Sequence, residues 1–262
     1  MLKEGKGDAF VSAGNTGALF AGASLIVRKI KGLNRPAIAT VLPMTPPVLL
    51  LDSGANINVT PEYLLQFAMI GSVYMNKMYG VESPRVGLLN NGSEETKGTE
   101  LQLGTYALLS ECDKVNFIGN VEANKISQNV CDVLVTDGFT GNIFLKTMEG
   151  LGKMMLKTLK STLYSKLRTR AAGLLIKSEM SGIKKRFDSS ELGGAPILGI
   201  SKPVIKAHGS SKAKAFKNAI RQAIAYSDTL LTDEIAEELA AVAERKKAAA
   251  AIAEASKAEK SE

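Results

Sequence analysis

Chemistry in this chain would be done at five short runs of small and polar residues, each lying where an apolar run gives way to a new element. Ser12-Ala13-Gly14-Asn15-Thr16-Gly17-Ala18 comes first. Leu51-Asp52-Ser53-Gly54-Ala55-Asn56 and Asp137-Gly138-Phe139-Thr140-Gly141-Asn142 repeat the design, and Gly193-Gly194-Ala195-Pro196 and His208-Gly209-Ser210-Ser211 extend it. Glycines let the backbone approach a ligand closely, and the free amides of a helix start attract anions. One such loop is most often only a turn, but five in one chain point to an anionic ligand. None has the P-loop spacing, and GxGxxG is absent, which argues against a Rossmann dinucleotide site.

The segment Asn90-Asn91-Gly92-Ser93-Glu94-Glu95-Thr96-Lys97-Gly98-Thr99-Glu100 crowds three carboxylates around one lysine. It reads either as a solvated, salt-bridged loop or as a lysine held to bind or activate phosphate, for which an ammonium is a strong point-charge partner. His208 is the sole histidine. Its Gly-Ser-Ser setting balances ligand contact against a capping role. One histidine and two cysteines, Cys112 and Cys131, give no metal site and no disulfide scaffold. Both cysteines read as reduced residues of a reducing compartment.

Something must position these loops. Short β-branched or apolar runs alternate with longer amphipathic stretches, the signature of βα units around a mainly parallel sheet. Strands are expected at 8–13, 37–42, 48–51, 85–89, 116–119, 130–136, 197–200 and 204–207. Helices are expected at 16–31, from Thr60-Pro61-Glu62 to about Tyr79, at 99–110, and from Asn142 onward. Two more helices close the chain.

The chain has 262 residues with 45% hydrophobic and 23% charged, too apolar for a disordered protein. The uncharged run 9–27 has Ser12, Gly14, Asn15, Thr16 and Gly17 at its centre, which suits neither a signal peptide nor a bilayer span. A cytoplasmic protein without a transmembrane helix is expected. Between Leu151 and Phe187 there are ten Lys/Arg and one acid, a local +9 that exceeds the chain's net +7. The apolar run Ala171–Ile176 lies between those basic flanks. Such a stretch is either a core-facing helix with a basic outer face, an element touching anionic lipid, or a docking surface for an acidic protein. No aromatic stacking set or RNA-binding motif accompanies it, so no nucleic acid is expected.

In this order SAGNTGAL, LDSGAN, SEETKGTEL, DGFTGN, GGAPILGI and HGSS resemble bacterial phosphate acyltransferases (acyl-ACP:phosphate acyltransferase, the PlsX family) over about Gly5 to Leu231. The resemblance implies a three-layer α/β/α fold with a mainly parallel sheet, like isocitrate and isopropylmalate dehydrogenases, with a helical projection at 145–187. Residues 232–262, Ala/Glu/Lys-rich, are expected to be a closing helix or tail outside the 1–231 domain. It implies a homodimer, no metal or other cofactor, and transfer of an acyl group from acyl-ACP to orthophosphate. The acyl phosphate would pass to a membrane glycerol-3-phosphate acyltransferase. By the same resemblance Lys97 orients phosphate, and Asn142 steadies the thioester carbonyl as it becomes an oxyanion. Ser12, Gly14, Asn15, Thr16 and Gly17, with His208, Gly209 and Ser210, cradle phosphate or the pantetheine arm. Asp52, Asn56 and Asp137 orient loops. Leu167, Arg168, Ala171, Leu174 and Leu175 contact the membrane surface or ACP, giving a peripherally associated enzyme. Family members have a Gly-rich first strand and further βα units before the SAGNTG loop, so an opening segment is expected to be missing here. Ser53 and Asn91 stand where a small apolar residue or glycine is expected. A short-chain acyl-CoA phosphotransacylase and a non-catalytic ACP- or lipid-binding protein are the other readings of these residues.

Overall fold

The computed structural model describes residues 1–186, 193–229 and 231–244. The side chains of Leu167 and of residues 184–186, and all of Phe187 and residues 245–262, lie outside the described residues.

Eight strands form one mixed sheet: β1 (Phe10–Ser12), β2 (Ala37–Leu42), β3 (Val48–Leu51), β4 (Arg85–Asn90), β5 (Asn116–Glu122), β6 (Val133–Val135), β7 (Ala195–Leu198) and β8 (Val204–Lys206). Their spatial order is β1-β8-β7-β2-β3-β6-β4-β5. β3, β6, β4 and β5 run parallel side by side. β2 lies antiparallel to both β3 and β7, β8 lies antiparallel to β7, and β1 pairs with β8 in parallel. The carboxyl ends of β3, β6, β4 and β5 therefore open on one edge of the sheet, and those of β1 and β8 on the opposite edge.

The strands read as continuous apolar runs because both faces of the sheet are covered. In β3, Leu49 and Leu51 join a cluster with Leu64, Phe67 and Tyr74, while Val48 and Leu50 join another with Leu89, Ile126 and Leu134. That alternation is the period of two of a strand between two helical layers. The first layer is α2 (Pro61–Tyr79), α3 (Glu100–Ser110) and α7 (Ala213–Ser227); the second is carried by α4 (Gly138–Tyr164), whose Phe144, Leu145 and Met148 pack on the other face. α2 starts with Pro61 in its first turn and stops at left-handed Gly80, as its sequence signals require.

Several bounds differ from the sequence expectation. α1 (Thr16–Gly22) continues to Arg28 as π-helix where an α-helix to Lys31 is expected. The Ser24 hydroxyl donates to the Phe20 carbonyl (2.7 Å) at that junction, competing with the backbone ladder. β5 runs on to Glu122 instead of ending at Gly119, because Gly119 takes a left-handed φ and the pairing with β4 shifts register there. α4 begins at Gly138, four residues before Asn142. In the Ala/Glu/Lys-rich closing segment, residues 231–244 are helical and bury Leu231, Ile235 and Leu239 in the larger core, with Lys77 and Lys114 paired to Glu234 and Glu238.

Candidate active site

The loop after β3 is organised by one carboxylate. Asp52 is fully buried and accepts hydrogen bonds from the amides of Ile38 (3.2 Å), Gly54 (3.1 Å), Ala55 (3.0 Å) and Asn56 (2.7 Å), and from Asn56 Nδ2 (2.8 Å). Burial raises its pKa above the ordinary carboxylate value, and the hydrogen bonds from Ala55, Asn56 and Gly54 offset only part of that rise. Asn56 Nδ2 also donates to the Pro36 carbonyl (2.8 Å), so the loop is fixed to the start of β2. Both carboxylate oxygens of Asp52 are thus engaged by its own loop and by β2, which suits positioning rather than proton transfer.

The start of α4 docks on that loop. Asp137 caps the helix by accepting from the Thr140 amide (2.8 Å), and the Gly138 amide donates to the Asn56 carbonyl (2.7 Å). A Cβ on Gly141 would lie 2.0 Å from the Asp52 carbonyl oxygen, so glycine sets the closeness of this approach. Asn142 Nδ2 donates to the Ser53 carbonyl (3.1 Å) across Gly54, whose φ of +140° and 2.8 Å Cβ approach to that nitrogen admit no other residue. An amide nitrogen carries two hydrogens, so one remains for a ligand, and Asn142 is exposed. Just beneath, the Thr136 hydroxyl is buried with no partner among the described residues. The first turn of a 27-residue helix here presents its positive end to the same edge.

Lys97 follows β4, two strands from β3. Its loop is held by Asn90 Nδ2 on the Lys97 carbonyl (3.0 Å) and by Asn120 Nδ2, from β5, on the Glu94 carbonyl (2.8 Å). The Tyr106 hydroxyl donates to Glu95 (2.9 Å), and Gln102 Oε1 accepts from the Thr99 amide (3.0 Å). Among the described residues the Lys97 ammonium has no carboxylate partner, although three glutamates lie within three positions of it. The salt-bridged loop is therefore not what forms; an exposed lysine on an anchored backbone is. Sequence reasoning missed Asn120 and Tyr106, and it placed Asn90 in the lysine segment without giving it a role, although an asparagine closing a strand was a visible signal.

The other small-residue loops lie at the opposite edge. Ser12 Oγ accepts from the Gly14 amide (3.1 Å), and Asn15 caps α1 by accepting from the Ala18 amide (3.0 Å); Gly14 to Gly17 are exposed. His208 Nδ1 accepts from the Ser210 amide (3.2 Å) and lies 2.8 Å from Ser210 Oγ, which puts the ring proton on Nε2. α7 begins only at Ala213, so His208, Gly209 and Ser210 form a turn of their own ahead of the helix. The Ala207 amide donates to the Ser12 carbonyl (2.9 Å), joining the two loops, and Gly194 packs against the Lys206 backbone. Lys206, register partner of Ser12, adds a cation that sequence reasoning did not single out; burial lowers its pKa. The structure thus brings Asp52, Asn56, Lys97, Asp137 and Asn142 to one edge, and Ser12 to Gly17 with His208 to Ser210 to the other.

Beyond the sheet, α4 continues into α5 (Leu167–Leu175) and α6 (Lys177–Arg186). Of α4 only Gly138, Gly141 and Gly152 are buried, and Leu151, Met154, Met155 and Leu159 are exposed. In α5 the exposure of Leu174 and Leu175 reaches 69% and 83%, beside exposed Arg168, Arg170 and Ala171. Among the described residues no helix is long and apolar enough to cross a membrane, and no group of His, Cys, Asp and Glu could hold a metal ion.

Comparison with known proteins adds a family. The model described as "Fatty acid synthesis protein" matches residues 1–232. A phosphate acyltransferase of Clostridium acetobutylicum is 46% identical over 240 residues, covering 91% of this chain and 72% of that protein. One of Thermoanaerobacter pseudethanolicus is 49% identical over 240 residues, with the same coverage of 91% and 72%. Among solved structures, a phosphotransacetylase from Streptococcus pyogenes superposes with a TM-score of 0.54 at 18% identity, covering 86% of this chain. The chain spans 64% of that protein's length. A branched-chain phosphotransacylase from Enterococcus faecalis gives 0.51 at 15%, covering 86% of this chain and 75% of that one. At such identities the likeness establishes the α/β fold alone.

Proposed function

Because the chain belongs to the fatty acid synthesis protein family, whose relatives include phosphate acyltransferases, we propose that it transfers an acyl group from acyl-ACP to inorganic phosphate. A phosphate oxygen attacks the thioester carbonyl carbon, the carbon–sulfur bond breaks, and the carrier leaves as its thiol once protonated. The products are acyl phosphate and free ACP. Phosphate is already a nucleophile, so the protein must supply position and charge stabilisation, not a covalent intermediate.

The observation that carries this reading is the unpaired Lys97 on the same sheet edge as the α4 N-terminus. Lys97 holds the phosphate and offsets its charge, and the free hydrogen of the Asn142 amide meets the carbonyl oxygen as negative charge develops. Asp52, Asn56 and Asp137 keep that geometry by pinning the two loops together. The Ser12–Gly17 and His208–Ser210 loops, at the other edge, bind outlying parts of the substrates. A second copy covers the exposed apolar face of α4, giving a homodimer. α5 rests on an anionic membrane surface through Leu174 and Leu175, placing acyl phosphate near the glycerol-3-phosphate acyltransferase that consumes it.

Incubating the chain with acyl-ACP and phosphate and measuring acyl phosphate tests the reaction; no product from a folded protein removes it. Vesicle flotation tests the surface: Leu174→Glu is expected to lower binding to anionic vesicles, and unchanged flotation assigns α5 another role.

A further inference from the structure

The chain carries a second basic cluster, separate from the long basic stretch. Arg28, Lys29, Lys31 and Arg35 fall within eight residues, and no acid occurs anywhere from residue 9 to residue 51. All four are exposed. Among the described residues no carboxylate pairs with any of them; Lys29 Nζ donates to the Asn34 carbonyl (2.9 Å). Arg28 holds a left-handed φ of 79°, a strained conformation for a residue with a side chain, and is kept there by its carbonyl accepting from the Ser201 amide (2.9 Å). Leu25 and Ile26, 79% and 65% exposed, flank the cations. Leu25, Arg28, Lys29 and Lys31 line a cleft of about 590 Å³, with Ile26 and Arg35 close by in the chain.

Its place in the fold gives the cluster meaning. Lys29 bridges Ile200, just past the carboxyl end of β7, and the Pro36 carbonyl that follows the cluster is held by Asn56 of the Asp52 loop. The cluster therefore stands on the edge that carries Asn142 and Lys97. From β2 to β4 is three strand spacings, about 14 Å, a span that a flexible thioester arm can cross while its carrier stays on the rim.

We propose that residues 25–35 are the docking surface for the acidic carrier protein that delivers the acyl group. This rests on the acyl-transfer reading above and assigns the carrier a site distinct from α5. Cations without carboxylate partners at a concave cleft lined by exposed Leu25, with exposed Ile26 next to it in the chain, fit an acidic protein surface, where complementary charge steers encounter and apolar contact retains it. A flat bilayer would be met better by the protruding α5.

Titrating the full-length chain into fluorescently labelled acyl-ACP at low salt reads the proposal without any need for turnover. Arg28→Glu combined with Lys31→Glu is expected to raise Kd about tenfold or more, and added salt is expected to weaken the unsubstituted chain more than the variant. Lys217→Glu, the same kind of change on α7, is expected to leave Kd within about twofold. An unchanged Kd in the folded double variant overturns the proposal, and so does equal weakening by Lys217→Glu. Loss of anionic-vesicle binding with an unaltered carrier Kd also overturns it, assigning the cluster to lipid. If the double variant misfolds, Leu25→Glu replaces it under the same criteria. A chain that binds the carrier at this cluster yet releases no acyl phosphate leaves the surface standing and removes only the acyl-transfer reading.

Discussion

The two edges of the sheet carry loops of nearly the same composition and hold them in different ways. At the edge of Asp52 and Asn142 the loops fix one another. A buried carboxylate gathers four amides, Gly138 bonds to Asn56, and Asn142 reaches across Gly54 to Ser53. At the edge of Ser12 and His208 each turn satisfies itself: Ser12 bonds Gly14, Asn15 bonds Ala18, and His208 bonds Ser210. Among the described residues, only the Ala207–Ser12 backbone bond is shared between those two turns. Small-residue loops that look alike in sequence thus separate into a preorganised site and an adaptable one. Preorganisation is what stabilisation of developing charge requires, whereas binding the remote parts of a substrate tolerates give.

The largest test of that division is Lys97→Ala. Loss of the Lys97 ammonium, beside the α4 N-terminus on the fixed edge, is expected to lower acyl phosphate formation by roughly 10²–10³-fold. The side chain is exposed and has no ion-pair partner among the described residues, so the melting temperature is expected to stay within about 1–2 °C. Wild-type rates in a folded Lys97→Ala protein would move the chemistry away from this edge. The same substitution at Lys206 reads the other edge, where the expected effect is a higher KM with kcat retained.

Gly141→Ala comes next. Its Cβ would stand 2.0 Å from the Asp52 carbonyl oxygen, a backbone atom that the Asp52 network holds in place. The helix start has to back away, at a cost of about 3 kcal/mol or more. For a chain of this size that is a fall in melting temperature of about 6–12 °C. Turnover should fall further than stability explains, because Asn142 moves with the helix. A thermal scan showing no change would mean that the two loops are less tightly coupled than their contacts indicate.

How much of this could be read from sequence follows from which forces are local. β2 and β3 fall at their expected bounds because uninterrupted apolar runs leave a buried strand few alternatives. α2 likewise announces itself with Thr60-Pro61 and stops at Gly80. The start of α4 does not. Gly138, Thr140 and Gly141 are poor helix formers, and only the Asp137 cap and the tight seat on Asp52 make them helical. Strand direction is also silent in sequence, so nothing local tells that the Ser12 and Lys97 loops open on opposite edges. The roles of Asn120 and Tyr106 were illegible for the same reason: each acts on a loop 26 or 11 residues away in the chain.

The smallest effects are expected on the self-satisfied edge, and they complete the comparison. Asn15→Ala removes the cap of α1, a loss of about 1 kcal/mol that spreads no further because, among the described residues, that side chain bonds only within its own helix start. Gly14→Ala is the closest analogue of Gly141→Ala, since both place a methyl group in a small-residue turn. Here the nearest atom is Ser12 Oγ at 3.2 Å, the end of a side chain that can rotate away, and Gly14 does not occupy a left-handed φ. Its cost should stay within about 0.5 kcal/mol, measured by denaturant midpoint at unchanged slope. A Gly14→Ala protein as damaged as Gly141→Ala would mean that the Ser12 edge is also a rigid, mutually pinned site, and the division between the two edges would fall.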